Sequence, residues 1–294
     1  RHENLIKMYP NGQADYDKAL VQWRKDANDA AKAGKPEPAK PTPPLGPQNP
    51  NGASLLYNGM IVPLVPYAIK GVLWYQGEGN SDRSKQYQTL FPALIADWRD
   101  LWHEGNFPFL YVQLANFKMP SIWGTSIGWV ELREAQLKTL SVPNTGMAVT
   151  TDIGDVNNIH PANKQEVGRR LALWALAKTY GYKRLQYSGP IYKSMKVEDD
   201  KVYLTFTHAD DGLVAKGGEL KGFTIAGADQ KFVSARGAVK KGMVIVESPD
   251  MKKPVAVRYG WSDVTTECNL YNDAGLPASP FRTDDWPGAT DDKK

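Results

Sequence analysis

Apolar residues recur with two different periodicities along this chain. Between residues 71 and 180, short apolar runs alternate with longer stretches in which apolar residues recur every three or four positions. Such alternation is typical of crossover connections in a parallel sheet that is covered on both faces. The predicted strands are Gly71 to Tyr75, Phe109 to Leu114 and Met147 to Thr151, and the predicted helices are Tyr87 to Trp102, Val130 to Leu140 and Ala162 to Tyr180.

A sheet of only three parallel strands is short, because open sheets usually contain more. We therefore expect further strands that precede Arg1. The chain does not begin with methionine, and no apolar signal stretch follows Arg1. These features predict the carboxyl-terminal subunit or fragment of a longer protein, with an amino-terminal chain or segment supplied separately.

After about residue 186 the apolar residues alternate with polar ones, with a period of two. Five alternating runs, separated by Asp, Gly and Lys turns, predict a smaller antiparallel β-sandwich domain. They are Val202 to Phe206, Gly222 to Ile225, Lys231 to Val233, Met243 to Val246 and Val255 to Tyr259. We predict a β-rich domain over residues 186–294, whose tail returns to an α/β domain over residues 54–185.

The first 53 residues are predicted to form a helix and a proline-rich connector. Apolar residues from Gln13 to Ala33 have helical spacing, and Gly34 follows as a stop signal. Between residues 36 and 50, seven of fifteen residues are proline, which favours an exposed polyproline segment without a core.

The composition excludes several classes of protein. The 294 residues are 41% hydrophobic and 23% charged, as in globular proteins and unlike disordered or collagen-like chains. The formal net charge is 36 − 32 = +4 with scattered basic residues, so nucleic acid is not an expected partner. Pro63 and Pro66 interrupt the least charged stretch, which predicts no membrane span. One cysteine and four histidines without metal-ligand spacing predict no metal site.

Polar clusters follow all three strands of the predicted parallel sheet. They are Trp74 to Asn80, Gln113 to Phe117 and Asp152 to Pro161. Ligands of open α/β sheets bind at the carboxyl ends of the strands, so we expect the clusters to converge on one edge. A histidine whose ring is oriented by a carboxylate can act as a general base, which makes His160 a candidate. A capping or loop-packing role for His160 is the alternative.

Five segments carry recognisable motifs, and the match extends from about Ser54 to Trp286. They are Ile69 to Glu78, Leu90 to Arg99, Phe107 to Phe117, Asp152 to Lys164 and Leu276 to Arg282. Together they resemble the sialate O-acetylesterase family of SGNH-type, GDSL-like hydrolases. The resemblance implies a flavodoxin-like α/β/α three-layer hydrolase domain with an additional β-domain. It also implies serine-dependent cleavage of acetyl esters on sugars without a cofactor, in a secreted or periplasmic protein.

The resemblance assigns roles to several residues. His160 corresponds to the general base, and the turn Gln76-Gly77-Glu78 to the block that lines the oxyanion hole, with the Gln76 amide as a donor. Asn157 stands where related esterases carry the acid that orients the histidine. Glu78 is therefore the first candidate for that role and Asp155 the second, and the absence of an acidic partner is the third possibility.

Two further polar residues are candidates for substrate contact. Asn116 follows the second predicted strand, and Arg133 lies in the helix after it. An ordinary ion pair on the helix surface is the alternative for Arg133.

The family's serine nucleophile lies in a G-Q-S-N block that this sequence lacks. We expect that serine in another chain or an amino-terminal segment. Gly124 to Gly128 fits a G-x-S-x-G pattern around Ser126, but no predicted strand leads directly into it, as a nucleophile elbow requires. Ser81 is a weaker alternative.

The sequence thus predicts a carbohydrate O-acetylesterase subunit that acts on an acetylated carbohydrate. The rival is a catalytically silent glycan-binding protein on the same scaffold, because fold does not fix function. In that case Trp123 and Trp129 are candidates to stack on a sugar ring, although packing explains them equally. The sequence does not separate sialic acid, xylan and pectic sugars as substrates.

Overall fold

The computed structural model describes the backbone of residues 2–44, 54–119 and 126–293. The chain divides into two compact units, residues 1–68 and 69–294. This division differs from the boundaries predicted at residues 53 and 186. The α/β and β-rich parts both lie within the second unit. Side-chain contacts and the C-terminal tail join these two parts.

The first unit contains one long helix and a returning proline-rich segment. Helix α1 spans His2–Lys32, eleven residues more at its start than the spacing predicts, and Gly34 follows it with φ +63°. The Trp23 indole N–H donates to the Pro38 carbonyl over 2.8 Å, and the Lys40 ammonium lies 5.5 Å from the Trp23 ring centroid. The segment after the helix therefore packs back on it. Short turns follow at Tyr57–Ile61 and Val62–Leu64.

A parallel three-stranded sheet forms the first part of the second unit. Its strands are β1 (Val72–Trp74), β2 (Phe109–Val112) and β3 (Thr145–Ala148), in the order β1-β2-β3. The connecting helices are α2 (Ser84–Trp102) and α3 (Ser126–Lys138), and α4 (Lys164–Trp174) follows β3. The strand–helix alternation predicted from the sequence is confirmed.

Both faces of this sheet are covered, which explains the continuous apolar runs. Tyr111 points towards α2, where its ring lies 4.9 Å from that of Phe91, and its hydroxyl donates to the Gln136 carbonyl of α3. Its neighbour Val112 belongs to the opposite core, which packs against Val167 and Trp174 of α4. The sheet therefore lies between two helical layers, as expected.

The β-rich part is antiparallel, as predicted. One seven-stranded sheet has the order β12-β10-β7-β8-β9-β5-β4, and β6 and β11 form a separate two-stranded ribbon. The bounds are β4 (Ile191–Glu198), β5 (Lys201–Thr207), β6 (Leu213–Ala215), β7 (Leu220–Ala226), β8 (Phe232–Lys240), β9 (Met243–Glu247), β10 (Ala256–Tyr259), β11 (Leu270–Asn272) and β12 (Phe281–Arg282). The sequence pattern missed β4, β6, β11 and β12.

The C-terminal tail packs on the helices of the α/β part. The Glu131 carboxylate of α3 accepts from the backbone N–H groups of Ala289 and Thr290, over 2.7 and 3.0 Å. Arg282 donates two hydrogen bonds to Glu134 of the same helix. Because these bonds tie the tail to α3, the two kinds of sheet belong to one compact unit.

Candidate active site

The turn after β1 is held against α3 by contacts of its backbone. Gly77 has φ +151°, and a Cβ atom at this position would lie 2.7 Å from a methyl group of Leu132. The Gln76 carbonyl accepts from Gln136 Nε2 over 3.2 Å. Because α3 leaves no room for a side chain, glycine permits the chain to turn here.

The Gln76 carboxamide is oriented by two neighbours. Its Oε1 accepts from the Tyr87 hydroxyl over 3.0 Å, and its Nε2 donates to Asn80 Oδ1 over 2.8 Å. A carboxamide nitrogen carries two N–H groups. The bond to Asn80 uses one, so Gln76 retains a second donor, as the predicted oxyanion role requires.

Glu78 begins a 3-10 turn over Glu78–Arg83 and is half-buried. In the part of the chain that the structure describes, its carboxylate makes no hydrogen bond. Burial, and then the nearby Glu78 carboxylate, raise the pKa of Tyr75 to about 12, so that phenol is protonated at neutral pH. The same two causes raise the pKa of Tyr87 above its ordinary value, which keeps it a donor to Gln76.

The cluster after β2 is buried. Asn116 is 3% exposed, and its Oδ1 accepts from both the backbone N–H and the hydroxyl of Thr265, over 2.9 and 2.5 Å. This oxygen is therefore occupied by the β-rich part. Its role in substrate contact stays a prediction.

Arg133 differs from the exposed substrate contact or surface ion pair expected from the sequence. Its side chain is 0% exposed and donates to four backbone carbonyls, those of Leu114, Ala115, Ser262 and Asp263, over 2.7 to 2.8 Å. Burial lowers the pKa of Arg133 to about 9, which leaves the guanidinium protonated at neutral pH. In this position Arg133 holds two loops together.

The cluster after β3 distributes its acids differently from the prediction. Asp152 accepts two hydrogen bonds from Arg170, over 2.6 and 2.8 Å, and a third from the Tyr271 hydroxyl. Asp155 accepts from the backbone N–H of Asn157 over 2.8 Å and so stabilises its own turn. Neither carboxylate contacts the His160 ring.

His160 lies on the exposed end of this loop. Its backbone N–H donates to Asn158 Oδ1 over 2.9 Å. Among the described residues, no side chain is hydrogen bonded to its imidazole, so neither Glu78 nor Asp155 orients the ring in this conformation. This geometry matches the third possibility predicted from the sequence, a histidine without an acidic partner.

A cavity of about 430 Å³ joins the first and third clusters. It is lined by Glu78, Gly79, Ser81, Asp82, Met119, Trp129 and Ile159. Ile159 precedes His160 directly, so the turn after β1 and the histidine loop meet at this cavity. Cavities of this size take small ligands such as one sugar residue.

The residues that position this site carry no signal in the sequence pattern. Gln136 donates to the carbonyls of Gln76 and Val112 and accepts from the backbone N–H of Leu114, which links the ends of β1 and β2. A glutamine in an amphipathic helix carries no signal of that role, since its partners are distant in sequence. Trp129 lines the cavity, but its ring is buried and its N–H donates to the Ala115 carbonyl.

Several predicted features lie partly or wholly outside the described residues. Trp123, Gly124 and Thr125 fall there, and Ser126 is the first residue of α3, its side chain not described. Ser81 is buried at the cavity wall. In the described ranges, no group of three or more metal-ligating side chains is present, and no helix has the length and apolar character to cross a membrane.

The chain is similar to carbohydrate esterases over most of its length. Residues 51–177 match the family model of carbohydrate esterase, sialic acid-specific acetylesterase. A sialate O-acetylesterase from Mus musculus is 32% identical over 271 residues, 83% of this chain and 50% of that protein. The Homo sapiens counterpart is 34% identical, over 81% of this chain and 51% of its own.

A solved structure shows the same similarity. The crystal structure of a carbohydrate acetylesterase from Xanthomonas citri has a TM-score of 0.75 and 44% sequence identity, and the match covers 87% of this chain and 57% of that one. The chain thus spans about half the length of the curated relatives it matches.

Proposed function

This chain belongs to the sialate O-acetylesterase family, and we propose that it contributes the histidine and the oxyanion-hole turn to an enzyme that hydrolyses acetyl esters on sugars. One observation carries the proposal: the turn that directly follows Gln76 and Gly77 lines one cavity together with Ile159, the residue that directly precedes His160. The segments that carry the candidate donor Gln76 and the candidate base His160 therefore border the same cavity.

In the proposed mechanism, His160 removes the proton of a serine hydroxyl as the serine oxygen attacks the acetyl carbonyl carbon. The carbonyl oxygen becomes an oxyanion, and the free N–H of Gln76 donates to it. Collapse of this intermediate breaks the bond to the sugar oxygen, which takes the proton from His160. A water molecule then attacks the acetyl-serine with the same base, and acetate and free serine are released.

We propose that the serine is supplied by another segment or chain that packs beside β1. Among the described strands, β1 is hydrogen bonded only to β2, and Leu73 at its centre is 67% exposed. An exposed apolar side chain on an open strand edge favours a covering partner.

Mixing experiments test the proposal. The chain is combined with a separately produced polypeptide that carries a G-Q-S-N serine block of this family, and acetate release from p-nitrophenyl acetate and acetylated xylan is measured. We expect turnover from the mixture only. Equal turnover from the chain alone would place the nucleophile within it, and no turnover from the mixture would contradict the esterase proposal.

The rival function, glycan binding without catalysis, has one observation in its favour. The His160 ring has no carboxylate partner among the described residues, and Asn157 stands at the position of an orienting acid. Binding of acetylated sugars to the mixture without acetate release would favour this rival.

A further inference from the structure

A second cavity lies on the β-rich part, bordered by β7, β8 and the loop of residues 260–268, with the apolar Leu220 and Phe223 also in its lining. It has a volume of about 650 Å³ and is called the β-groove here. Its lining includes Glu219, Lys221, Thr224, Ser234, Arg236, Trp261, Thr266 and Glu267. Neither the sequence motifs nor the proposed mechanism uses these residues.

The alternation of β7 explains why this face is polar. Phe223 and Ile225 are buried in the core, so Thr224 between them points outward. Thr224 lies directly opposite Ser234 of β8 and Arg258 of β10. Residues that are paired across strands share one face, so two hydroxyls and a guanidinium stand in a row.

Trp261 is fixed at the end of this row. The Arg258 guanidinium lies 5.1 Å from the Trp261 ring centroid and that of Arg282 lies 5.4 Å from it. Both arginines are held by carboxylates: Arg258 donates twice to Asp284, and Arg282 twice to Glu134. The indole is thus oriented by ion-paired arginines, and a preorganised aromatic surface costs little entropy on binding.

The polar groups of the β-groove are available for a ligand. In the part of the chain that the structure describes, the hydroxyls of Thr224, Ser234 and Thr266 and the indole N–H of Trp261 make no hydrogen bond to the protein. Few convergent polar groups beside an aromatic ring are typical of sites that fix the orientation of a small ligand. Sugar rings combine hydroxyls with an apolar C–H face, which matches this lining.

The charges of the β-groove favour an uncharged ligand. Lys221 and Arg236 are balanced by Glu219 and Glu267, and the Arg236 Nε and Glu219 Oε1 atoms lie 4.0 Å apart. A polyanion, such as a chain of uronic acids, would need an excess of cations. The occupant that fits is therefore a neutral oligosaccharide.

One loop connects the β-groove to the candidate active site. Residues 260–268 form a wall of the β-groove, and the Asp263 carboxylate of this loop accepts from the backbone N–H of Met119 over 3.2 Å. Met119 lines the active-site cavity. A hydrogen bond thus joins the loop that walls the β-groove to a residue that lines the active-site cavity.

We propose that the β-groove binds the neutral sugar residues of a glycan whose acetylated residue occupies the active-site cavity. This inference rests on the proposed function for its direction, but the binding step needs no ester cleavage. The β-groove then makes the enzyme selective for long chains over isolated acetylated sugars.

Isothermal titration calorimetry with unacetylated xylohexaose and cellohexaose tests the proposal. We expect at least one of them to bind the unmodified chain, and hexagalacturonate to bind at least tenfold more weakly. Trp261→Ala should weaken binding at least tenfold. Because that variant removes a packed ring, the double variant Thr224→Ala/Ser234→Ala is measured as well and should also weaken binding.

The matched control is Ser194→Ala/Thr205→Ala, an exposed, cross-strand pair of hydroxyls between β4 and β5 on the far edge of the same sheet. It should leave binding unchanged. Failure of both neutral oligosaccharides to bind, tighter binding of hexagalacturonate, or equal binding by the Thr224/Ser234 double variant would overturn the proposal. Retained binding without esterase turnover in the mixing experiment would contradict the proposed function alone.

Discussion

Asn116 and Thr265 lie 149 residues apart in the sequence and meet at one oxygen atom, since Asn116 Oδ1 accepts from both the backbone N–H and the hydroxyl of Thr265. Through this bond the loop after β2 is fixed to the loop that borders the β-groove. Arg133 joins the same two loops by its four carbonyl contacts. The loop after β2, which borders the candidate site, is therefore held in place by contacts between the α/β part and the β-rich part.

Replacement of Arg133 should strongly destabilise the protein. Arg133→Met leaves four backbone carbonyls without a donor in a buried place, and each such group costs about 1–3 kcal/mol unless water reaches it. We expect the free energy of unfolding in urea to fall by about 3 kcal/mol or more. The control Arg236→Met, at a side chain that is 83% exposed, should change it by less than about 0.5 kcal/mol. Equal effects would contradict the role of Arg133.

A methyl group at Gly77 should be poorly tolerated. Gly77→Ala would place Cβ 2.7 Å from Leu132 at a backbone φ of +151°, so overpacking and backbone strain should together cost roughly 3 kcal/mol. Gly79 is a matched control, because no atom lies within 4 Å of its added Cβ. Thermal unfolding of both variants would show a much larger loss for Gly77→Ala. Similar losses would mean that the turn is not held as described.

Acid should remove the contribution of Glu166 to stability. Hydrogen bonding from Arg169, followed by Arg170, lowers the pKa of Glu166 from 4.5 to about 2. Because the folded-state pKa lies below the unfolded one, the stabilisation is present above about pH 4.5 and is lost as the pH falls towards 2. The stability difference between the unmodified chain and Glu166→Gln should shrink across this window in urea titrations. A difference that is constant with pH would contradict the assignment.

The thiol of Cys268 should be unreactive in the folded protein. Burial raises its pKa from 9.0 to about 12, against the opposing effect of Arg133. At pH 8 the thiolate fraction is then on the order of a thousandfold smaller than in an unfolded chain, and the thiolate is the reactive form. Reaction with a thiol reagent such as Ellman's reagent should be slow until urea is added. Equal rates with and without urea would show that the thiol is accessible and unperturbed.

The parallel sheet could be predicted because its strands are buried on both faces. Phe109 to Val112 is apolar without interruption, and helices of clear spacing follow. Helix α1 was predicted too short because Pro10 and Gly12 normally favour a helix boundary. Strand β4 was missed because a register shift between Tyr192 and Ser194 breaks its alternation.

The candidate site was predictable in its position but not in its internal bonds. The carboxyl ends of parallel strands lie at one edge of a sheet. For this reason the sequence predicts that the Gln76 turn and the His160 loop lie close together. The partner of a buried polar group depends on tertiary packing. Arg133 follows a pattern typical of a surface helix, and only the folded chain shows that four carbonyls from two distant loops surround it.

The most direct test of the account is the effect of His160→Ala on acetate release by the mixture of this chain with a G-Q-S-N polypeptide. Loss of a general base should lower kcat/KM by roughly 10²–10⁴-fold. His103→Ala, at an exposed histidine after α2, should leave it unchanged. Unchanged turnover of the His160→Ala mixture, with both proteins folded, would contradict the assignment of His160 as the base and with it the proposed mechanism.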